Sequence, residues 1–184
     1  MSRLVILDRD GVINEDSDTF VKSVDECHLI PGSVDAIVRL CDAGYQVVVA
    51  TNQSGISRGL LDEFDLAHIH QYISEQVEEA GGRIEAFVYC PHGPDDNCDC
   101  RKPKPGLLEK IASEFGLPLS GCAFVGDSLR DLQAARAAGC EPILVLSGKG
   151  EQTLLSGLPS ELESTRIYKN LAAFVESQLS LDDA

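Results

Sequence analysis

The chain has 184 residues, of which 43% are hydrophobic and 24% are charged. This length suits one domain with a single core, and this composition is typical of globular proteins rather than disordered or fibrous ones. Thirty acidic residues against fifteen basic ones give a formal net charge of -15, which repels nucleic acid phosphates and anionic membrane surfaces. We therefore predict one domain over residues 1–184, with neither nucleic acid nor membrane as a partner.

Apolar stretches are short throughout the chain. Runs such as Val47–Ala50 are far below the roughly 20 residues that a membrane span needs. Asp8 interrupts the first apolar run, so the N-terminus does not resemble a secretory signal. Seven cysteines are an odd number, and thiols clustered beside a histidine suit a metal site in a reducing compartment better than disulfides. We predict a cytoplasmic monomer.

Short apolar runs alternate with amphipathic stretches. In chain order, the predicted elements are a strand at 4–7, a helix at 34–43, a strand at 46–50, a helix at 63–80, a strand at 86–89, a helix at 106–115, a strand at 123–125, a helix at 131–138, a strand at 143–146 and a helix near 171–179. This alternation predicts an open, doubly wound α/β sheet of about five parallel strands. Residues 148–165 are expected to form a surface loop, and no insertion is long enough for a large cap domain.

Polar residues follow the strands at the end where open α/β sheets bind ligands. Asp8–Gly11 follow the first strand, Thr51–Gly55 the second, residues 90–104 the third and Gly126–Ser128 the fourth. The carboxyl ends of parallel strands share one edge of the sheet. We therefore expect three acids, a threonine and a lysine to converge there.

These residue types point to phosphoryl transfer. A carboxylate can attack phosphorus and form an aspartyl phosphate; Asp8 and Asp10 are both candidates, and we assign Asp8 because the first acid after a strand is held most rigidly. Asp10 is then the general acid and base. Crowded carboxylates need a hard divalent cation, so we predict Mg²⁺ bound by Asp8, Asp10 and Asp127. Thr51 and Lys102 are predicted to hold the oxygens of the transferring group.

Residues 90–105 carry a second metal motif. Cys90-x-His92 and Cys98-x-Cys100 provide three thiolates and one imidazole, the ligand set of a closed, structural zinc site. Such an ion has no open position for substrate. Its predicted role is to order a long loop and to direct the residues that follow the last ligand.

The ordered motifs resemble those of the haloacid dehalogenase superfamily. That resemblance covers residues 3–147 and is carried by residues 7–12, Thr51-Asn52, Lys102 and Val125-Gly126-Asp127. Within the superfamily, residues 8–14, 51–56, 89–92 and 98–103 look like the D-glycero-D-manno-heptose 1,7-bisphosphate phosphatases. The resemblance implies removal of the 7-phosphate from a small phosphorylated sugar during synthesis of lipopolysaccharide heptose precursors.

The resemblance also implies a set of substrate contacts. They are Asp16, Ser17, Asp18, Thr19, Thr51, Asn52, Gln53, Ser54, Arg101, Lys102 and Ser128. Arg101 would face the part of the sugar that is not cleaved and can hold a second phosphate by a bidentate contact. Ser128 departs from the family pattern, since many members carry a lysine there; Arg130 can substitute for that charge, and a serine is also a common helix N-cap.

Two other functions fit the same residues. Histidinol-phosphate phosphatases resemble this chain in fold, acids and zinc loop, and would also hydrolyse a monoester. A catalytically silent, zinc-stabilised binding protein is the alternative outside enzymes. The joint presence of Asp8, Asp10, Lys102 and Asp127 argues against it.

Overall fold

A parallel sheet forms the centre of the fold, and helices cover both of its faces. The computed structural model describes residues 3–182, so the ends of the predicted domain 1–184 lie outside the described residues. The elements are β1 (Arg3–Leu7), α1 (Ser33–Asp42), β2 (Tyr45–Asn52), α2 (Glu63–Glu79), β3 (Ala86–Cys90), α3 (Gly106–Phe115), β4 (Ala123–Gly126), α4 (Leu129–Ala138), β5 (Glu141–Val145), α5 (Gly150–Leu155), β6 (Arg166–Tyr168) and α6 (Leu171–Asp182). The strand order is β3-β2-β1-β4-β5-β6, and every neighbouring pair is parallel. The predicted doubly wound α/β sheet is confirmed.

The C-terminal region differs most from the prediction. The sheet has a sixth strand, β6, which pairs with β5 over three residues. Its sequence, Arg-Ile-Tyr, is too short and polar to form the apolar run by which the other strands are recognised. The expectation of a loop over residues 148–165 was wrong in part, because α5 and a 3-10 turn at Ser160–Leu162 lie there. Helix α5 has only six residues and leaves Leu155 exposed, so it carries no amphipathic signal.

Both faces of the central strand β1 are buried. Val5 and Leu7 pack on the face covered by α1, α2 and α6, whereas Leu4 and Ile6 pack on the face covered by α3 and α4. This alternation follows from the two-residue period of a strand, and burial on both faces is usual for a parallel sheet. The residues that follow β1 therefore leave a well-packed element.

The strand order reverses between β1 and β4. At such a reversal the connections leave in opposite directions and open a crevice at the carboxyl ends of the strands. The N–H of Asp8 donates to the carbonyl of Val125 at 2.9 Å, which joins β1 to β4 at the edge of this crevice.

The connection between β1 and α1 forms one side of the crevice. Asp16, Asp18 and Phe20 from this segment line the cavity there. Over residues 3–182, no insertion builds a separate cap domain. No helix in this range has both the length and the apolar character that crossing a membrane would require.

Candidate active site

A cavity of about 300 Å³ lies at the carboxyl ends of the strands where the strand order reverses. Most of the predicted site residues line it: Asp8, Asp10, Asp16, Ser17, Asp18, Asn52, Gln53, Ser54, Arg101, Lys102, Asp127 and Ser128. Thr51 and Thr19 are not among the lining residues; Thr51 is fully buried, and Thr19 borders a neighbouring depression. The predicted substrate contacts of Thr51 and Thr19 stay predictions.

Asp8 follows β1 directly and is buried. Its Oδ1 accepts hydrogen bonds from the N–H of Arg9 at 2.8 Å and from Lys102 Nζ at 3.1 Å. Burial raises the pKa of Asp8 well above its usual range, and the charge of Asp131 adds to this shift while Lys102 opposes it. The carboxylate is thus oriented by two donors and surrounded by further negative charge.

Asp127 follows β4 and faces Asp8 across the strand reversal. Two glycines pack against it: a Cβ atom on Gly11 or Gly148 would overlap the Asp127 carboxylate, and both residues have positive φ. Only glycine meets both conditions without strain. Asp127 Oδ2 accepts from the N–H of Lys149 at 2.9 Å, and burial, followed by the charge of Asp131, raises the pKa of Asp127 to about 7.

Asp8, Asp127 and Asp131 form an acidic cluster whose carboxylate oxygens lie within 4.8 Å of one another. Oxygen ligands around one Mg²⁺ ion lie about 2.1 Å from it and hence roughly 3–4 Å apart. The raised pKa values of Asp8 and Asp127 show that the protein neighbours do not neutralise these carboxylates. The donor set and its charge therefore fit a hard divalent cation.

Asp131 itself is occupied by protein donors. Its Oδ1 pairs with Lys102 Nζ at 2.7 Å, and its Oδ2 accepts from the backbone N–H and the hydroxyl of Ser128 at 3.2 and 2.9 Å. By contrast, no donor within residues 3–182 contacts Asp8 Oδ2 or Asp127 Oδ1. Asp8 and Asp127 thus have oxygens free to bind an ion.

The Asp10 carboxylate lies outside this cluster, and its predicted part in the magnesium site with Asp8 and Asp127 stays a prediction. Its Oδ1 accepts from Arg9 Nη2 at 2.8 Å and from Asn14 Nδ2 at 2.9 Å, and its Oδ2 accepts from Gln53 Nε2 at 2.9 Å. Burial raises the pKa of Asp10, but the Arg9 charge and these hydrogen bonds outweigh burial and lower it overall. Three neighbouring side chains thus hold both oxygens of Asp10.

Lys102 connects the carboxylates. Its Nζ contacts Asp131 at 2.7 Å, Asp8 at 3.1 Å and the carbonyl of Ala50 at 2.9 Å, which uses all three ammonium protons. Burial lowers the pKa of Lys102, yet the charges of Asp131 and Asp8 raise it overall. Asn52 holds the Lys102 backbone through both of its amide atoms, at 3.1 and 3.0 Å. Asn52, predicted as a substrate contact, therefore also positions Lys102.

The hydroxyl of Thr51 is engaged by its neighbours. Thr51 Oγ1 accepts from Gln53 Nε2 at 2.9 Å and donates to the carbonyl of Asn52 at 3.5 Å. It lies behind residues that line the cavity rather than among them. The predicted contact of Thr51 with a phosphoryl oxygen stays a prediction.

The cavity contains four cationic side chains besides Lys102. Arg58, Arg101, Arg130 and Lys149 line the cavity. Lys149 reaches Asp16 at 3.3 Å, whereas none of the three arginines has an ion-pair partner among the described residues 3–182. Burial, followed by the charges of Arg130 and Arg58, lowers the pKa of Arg101. The cavity therefore concentrates basic residues in a chain of charge -15.

The predicted zinc ligands come together at the end of β3. Cys90 Sγ lies 3.7 Å from Cys98 Sγ and 3.5 Å from His92 Nδ1, and His92 Nδ1 lies 3.4 Å from Cys100 Sγ. Tetrahedral zinc separates sulfur ligands by about 3.8 Å, and sulfur from nitrogen by about 3.6 Å. Only the Cys90–Cys100 separation of 2.9 Å is clearly shorter. The donor set and its geometry fit a closed zinc site.

A hydrogen bond within the zinc loop holds Arg101. Arg101 Nη1 donates to the carbonyl of His92 at 3.2 Å. The loop backbone thereby orients the arginine, as the order of these residues in the chain predicts. The order of the zinc loop therefore affects the cavity, because Arg101 and Lys102 belong to the loop and line the cavity.

Several site residues escaped the sequence interpretation. Asp131, Arg58 and Lys149 lie in the cavity without belonging to a recognised motif. For Asp131 a signal was present: Ser128 and Asp131 have the spacing of a capping box at the start of α4. Arg58 and Lys149 are single basic residues in loops, and spacing does not show where they point.

Comparison with known proteins finds relatives that match nearly the whole chain. A family model described as HAD-hydrolase-like matches residues 99–174. A D-glycero-beta-D-manno-heptose-1,7-bisphosphate 7-phosphatase from Pseudomonas aeruginosa is 56% identical, over 97% of this chain and 99% of the relative. The protein of the same name from Bordetella bronchiseptica is 53% identical, over 96% of this chain and 98% of the relative.

Solved structures give the same result. The D,D-heptose 1,7-bisphosphate phosphatase from B. bronchiseptica, crystallised with magnesium and phosphate, has a TM-score of 0.93 at 52% identity, covering 97% of this chain and 99% of that chain. The corresponding enzyme from Burkholderia thailandensis has a TM-score of 0.75 at 45% identity, with the same coverage. Likeness of this degree over nearly the whole length shows that the chain belongs to the haloacid dehalogenase-like family of D-glycero-beta-D-manno-heptose-1,7-bisphosphate 7-phosphatases.

Proposed function

We propose that this protein removes the 7-phosphate of D-glycero-beta-D-manno-heptose 1,7-bisphosphate, a step toward lipopolysaccharide heptose, through an aspartyl phosphate on Asp8. The observation that carries the proposal is the position of Asp8. Its carboxylate lies beside Lys102 and Asp127, where the strand order reverses, in a cavity bordered by unpaired arginines. The relatives of this chain that bear the enzyme's name support the choice of sugar and of the β-anomer.

The first step forms the covalent intermediate. An oxygen of Asp8 attacks phosphorus, and the bond between phosphorus and the sugar oxygen breaks. Asp10 gives its proton to the departing oxygen, which leaves as an alcohol. Lys102 holds Asp8 in place and adds positive charge beside the transferring group.

The second step releases phosphate. Asp10, now a carboxylate, takes a proton from water as that water attacks the aspartyl phosphate, and the bond between phosphorus and Asp8 breaks. The lowered pKa of Asp10 keeps this side chain ionised in the free protein, the form that can accept a proton. The negative charge of a bound phosphate favours proton uptake by Asp10 at the start of the next cycle.

Both metals belong to this proposal. Asp8 and Asp127, with Asp10 as predicted, would hold magnesium, which would supply positive charge to neutralise the carboxylates and polarise phosphoryl oxygens. Zinc, held by Cys90, His92, Cys98 and Cys100, would order the loop that carries Arg101. Seven free cysteines support the predicted reducing, cytoplasmic location, and the monomeric state stays a prediction.

The second phosphate of the substrate needs its own cations. Arg101, Arg130 and Arg58 line one cavity and repel one another: burial lowers the pKa of Arg101, and the charges of Arg130 and Arg58 lower it further. A dianionic phosphate would relieve this repulsion and accept bidentate hydrogen bonds. Arg130 lies two residues after Ser128 and is the candidate for the charge that a lysine provides in many relatives.

Parallel phosphate release tests the proposal. We expect the β-anomer of the bisphosphate to turn over faster than the α-anomer and much faster than histidinol phosphate. Arg130→Gln should raise KM for the bisphosphate about tenfold, the loss of one charge-assisted contact, and should hardly affect a monophosphate. Arg136→Gln, an exposed site on the same helix, is the control. Faster turnover of histidinol phosphate would show that the substrate is wrong.

A further inference from the structure

Arg9, between the two active-site acids, has no role in the mechanism above and yet is completely buried. It is the largest fully buried side chain, with 0% exposure. A buried guanidinium is costly unless its donors are matched. Its Nε and Nη2 donate to Asp10 Oδ1 at 3.2 and 2.8 Å, and its Nη1 lies 3.2 Å from His70 Nε2.

His70 is the acceptor for this arginine. It lies on the buried face of α2 with Leu66 and Ile73, and its ring stacks on Phe87 at 4.3 Å between centroids and 15° between planes. A guanidinium only donates hydrogen bonds, so His70 Nε2 must carry a lone pair. In agreement, burial and then the Arg9 charge lower the pKa of His70 to about 3.

This chain of contacts sets the direction of Asp10. A guanidinium is planar, so fixing Nη1 on His70 also fixes the plane that presents Nε and Nη2 to Asp10. Oδ1 of Asp10 accepts hydrogen bonds from Arg9 and Asn14. Among residues 3–182, Oδ2 of Asp10 accepts a hydrogen bond only from Gln53, so Oδ2 is the oxygen left for proton transfer. Without His70, Nη1 would be buried without an acceptor, and the plane would no longer be held.

We propose that His70 and Arg9 are positioning residues that hold Asp10 for proton transfer to and from the reacting oxygens. The inference rests on the proposed function, in which Asp10 is the general acid. A sugar alkoxide is a poor leaving group and needs that proton, whereas p-nitrophenolate leaves without it. Loss of positioning therefore slows alkyl phosphates selectively, while general damage to the fold slows alkyl and aryl phosphates alike.

The experiment compares kcat/KM for the heptose bisphosphate with kcat/KM for p-nitrophenyl phosphate. The ratio of the two does not depend on the fraction of protein that is folded. We expect His70→Leu to lower this ratio at least tenfold and His70→Gln, whose amide oxygen accepts from Arg9, to restore most of it. Phe87→Leu removes the stacking partner, keeps the acceptor and should leave the ratio unchanged. Asp10→Asn should give the largest fall, in line with the 10²–10⁴-fold that a general acid contributes.

The possible results separate the inference from the proposed function. An unchanged ratio in His70→Leu, or an equal fall in His70→Leu and His70→Gln, overturns the inference and leaves the phosphatase proposal intact. An unchanged ratio in Asp10→Asn shows that Asp10 is not the acid and removes the basis of the inference. A wild-type protein that releases no phosphate from either compound overturns the proposed function and the inference together.

Discussion

The two metal-binding regions of this protein are built in opposite ways. The acidic cluster takes Asp8, Asp127 and Asp131 from the ends of two central strands and the start of a helix, and all three are buried. The zinc loop takes one ligand, Cys90, from the end of a strand and the others from a connection that is only half-buried. The core positions the acidic cluster, whereas the zinc loop depends on its own ligands.

This difference has an energetic side. The carboxylates of the acidic cluster are kept together against their repulsion by packing around β1 and by Lys102, as their raised pKa values show. The zinc loop contributes few side chains to the core, so metal coordination supplies the free energy that orders it. Changes to the acidic cluster should therefore affect chemistry first, and changes to the zinc loop should affect order and chemistry together.

The largest expected effect is on chemistry alone. Asp8→Asn should lower kcat by about 10⁴-fold or more, because an amide is a poor nucleophile. The free energy of unfolding should not fall, since the neutral amide removes a carboxylate whose pKa is raised by burial. Phosphate release and thermal unfolding measure the two quantities. A marked loss of stability would contradict the view that the core holds this site.

A smaller effect is expected from a change in the zinc loop, where structural order and activity should fall together. Cys98→Ser should lower zinc content and reduce kcat/KM about 10- to 100-fold, because Arg101 and Lys102 follow the last ligand directly. Zinc analysis, hydrogen exchange over residues 91–105 and phosphate release measure these changes. Cys41→Ser, outside the loop, is the control. Full activity in a preparation shown to be free of zinc would refute the coupling.

The smallest expected effect is on the pH dependence of the free energy of unfolding, to which the buried His70 contributes. His70 has a pKa of about 3 in the folded protein and about 6.5 when unfolded, so the unfolded state binds the extra proton between these values. Stability is therefore lost as the pH falls below 6.5. Between pH 7 and 5.5, wild type should lose about 1 kcal/mol more than His70→Gln. Urea unfolding of both proteins at each pH measures this difference; equal losses would show that folding does not shift the pKa of His70.

Local patterns in the chain predicted most of the fold. The five apolar runs and the helices between them appear within a few residues of their predicted bounds. Strand β6 and helix α5 were missed, because three or six residues with polar or exposed side chains carry no periodic signal. They are held in place by pairing with β5 and by the surrounding structure.

The site was predictable to the extent that its residues follow strands. Asp8 and Asp127 were found because parallel strands bring their carboxyl ends together. The zinc ligands were found because four metal-binding side chains lie within eleven residues. The predicted part of Asp10 in the magnesium site stays a prediction, and its carboxylate lies outside the acidic cluster. Its direction depends on Arg9, and the direction of Arg9 depends on His70, 61 residues away in the chain.

The sequence by itself determined the alternation of strands and helices, the acids at the strand ends and the ligands of the zinc loop, because each of these is a pattern of neighbouring residues. Only the tertiary structure decided that Asp131 and Lys102 pair beside Asp8, that three arginines share one cavity and that His70 holds Arg9. These contacts join residues distant in the chain. They exist because helices packed on both faces of the sheet place such residues side by side, and residue spacing along the chain does not encode that proximity.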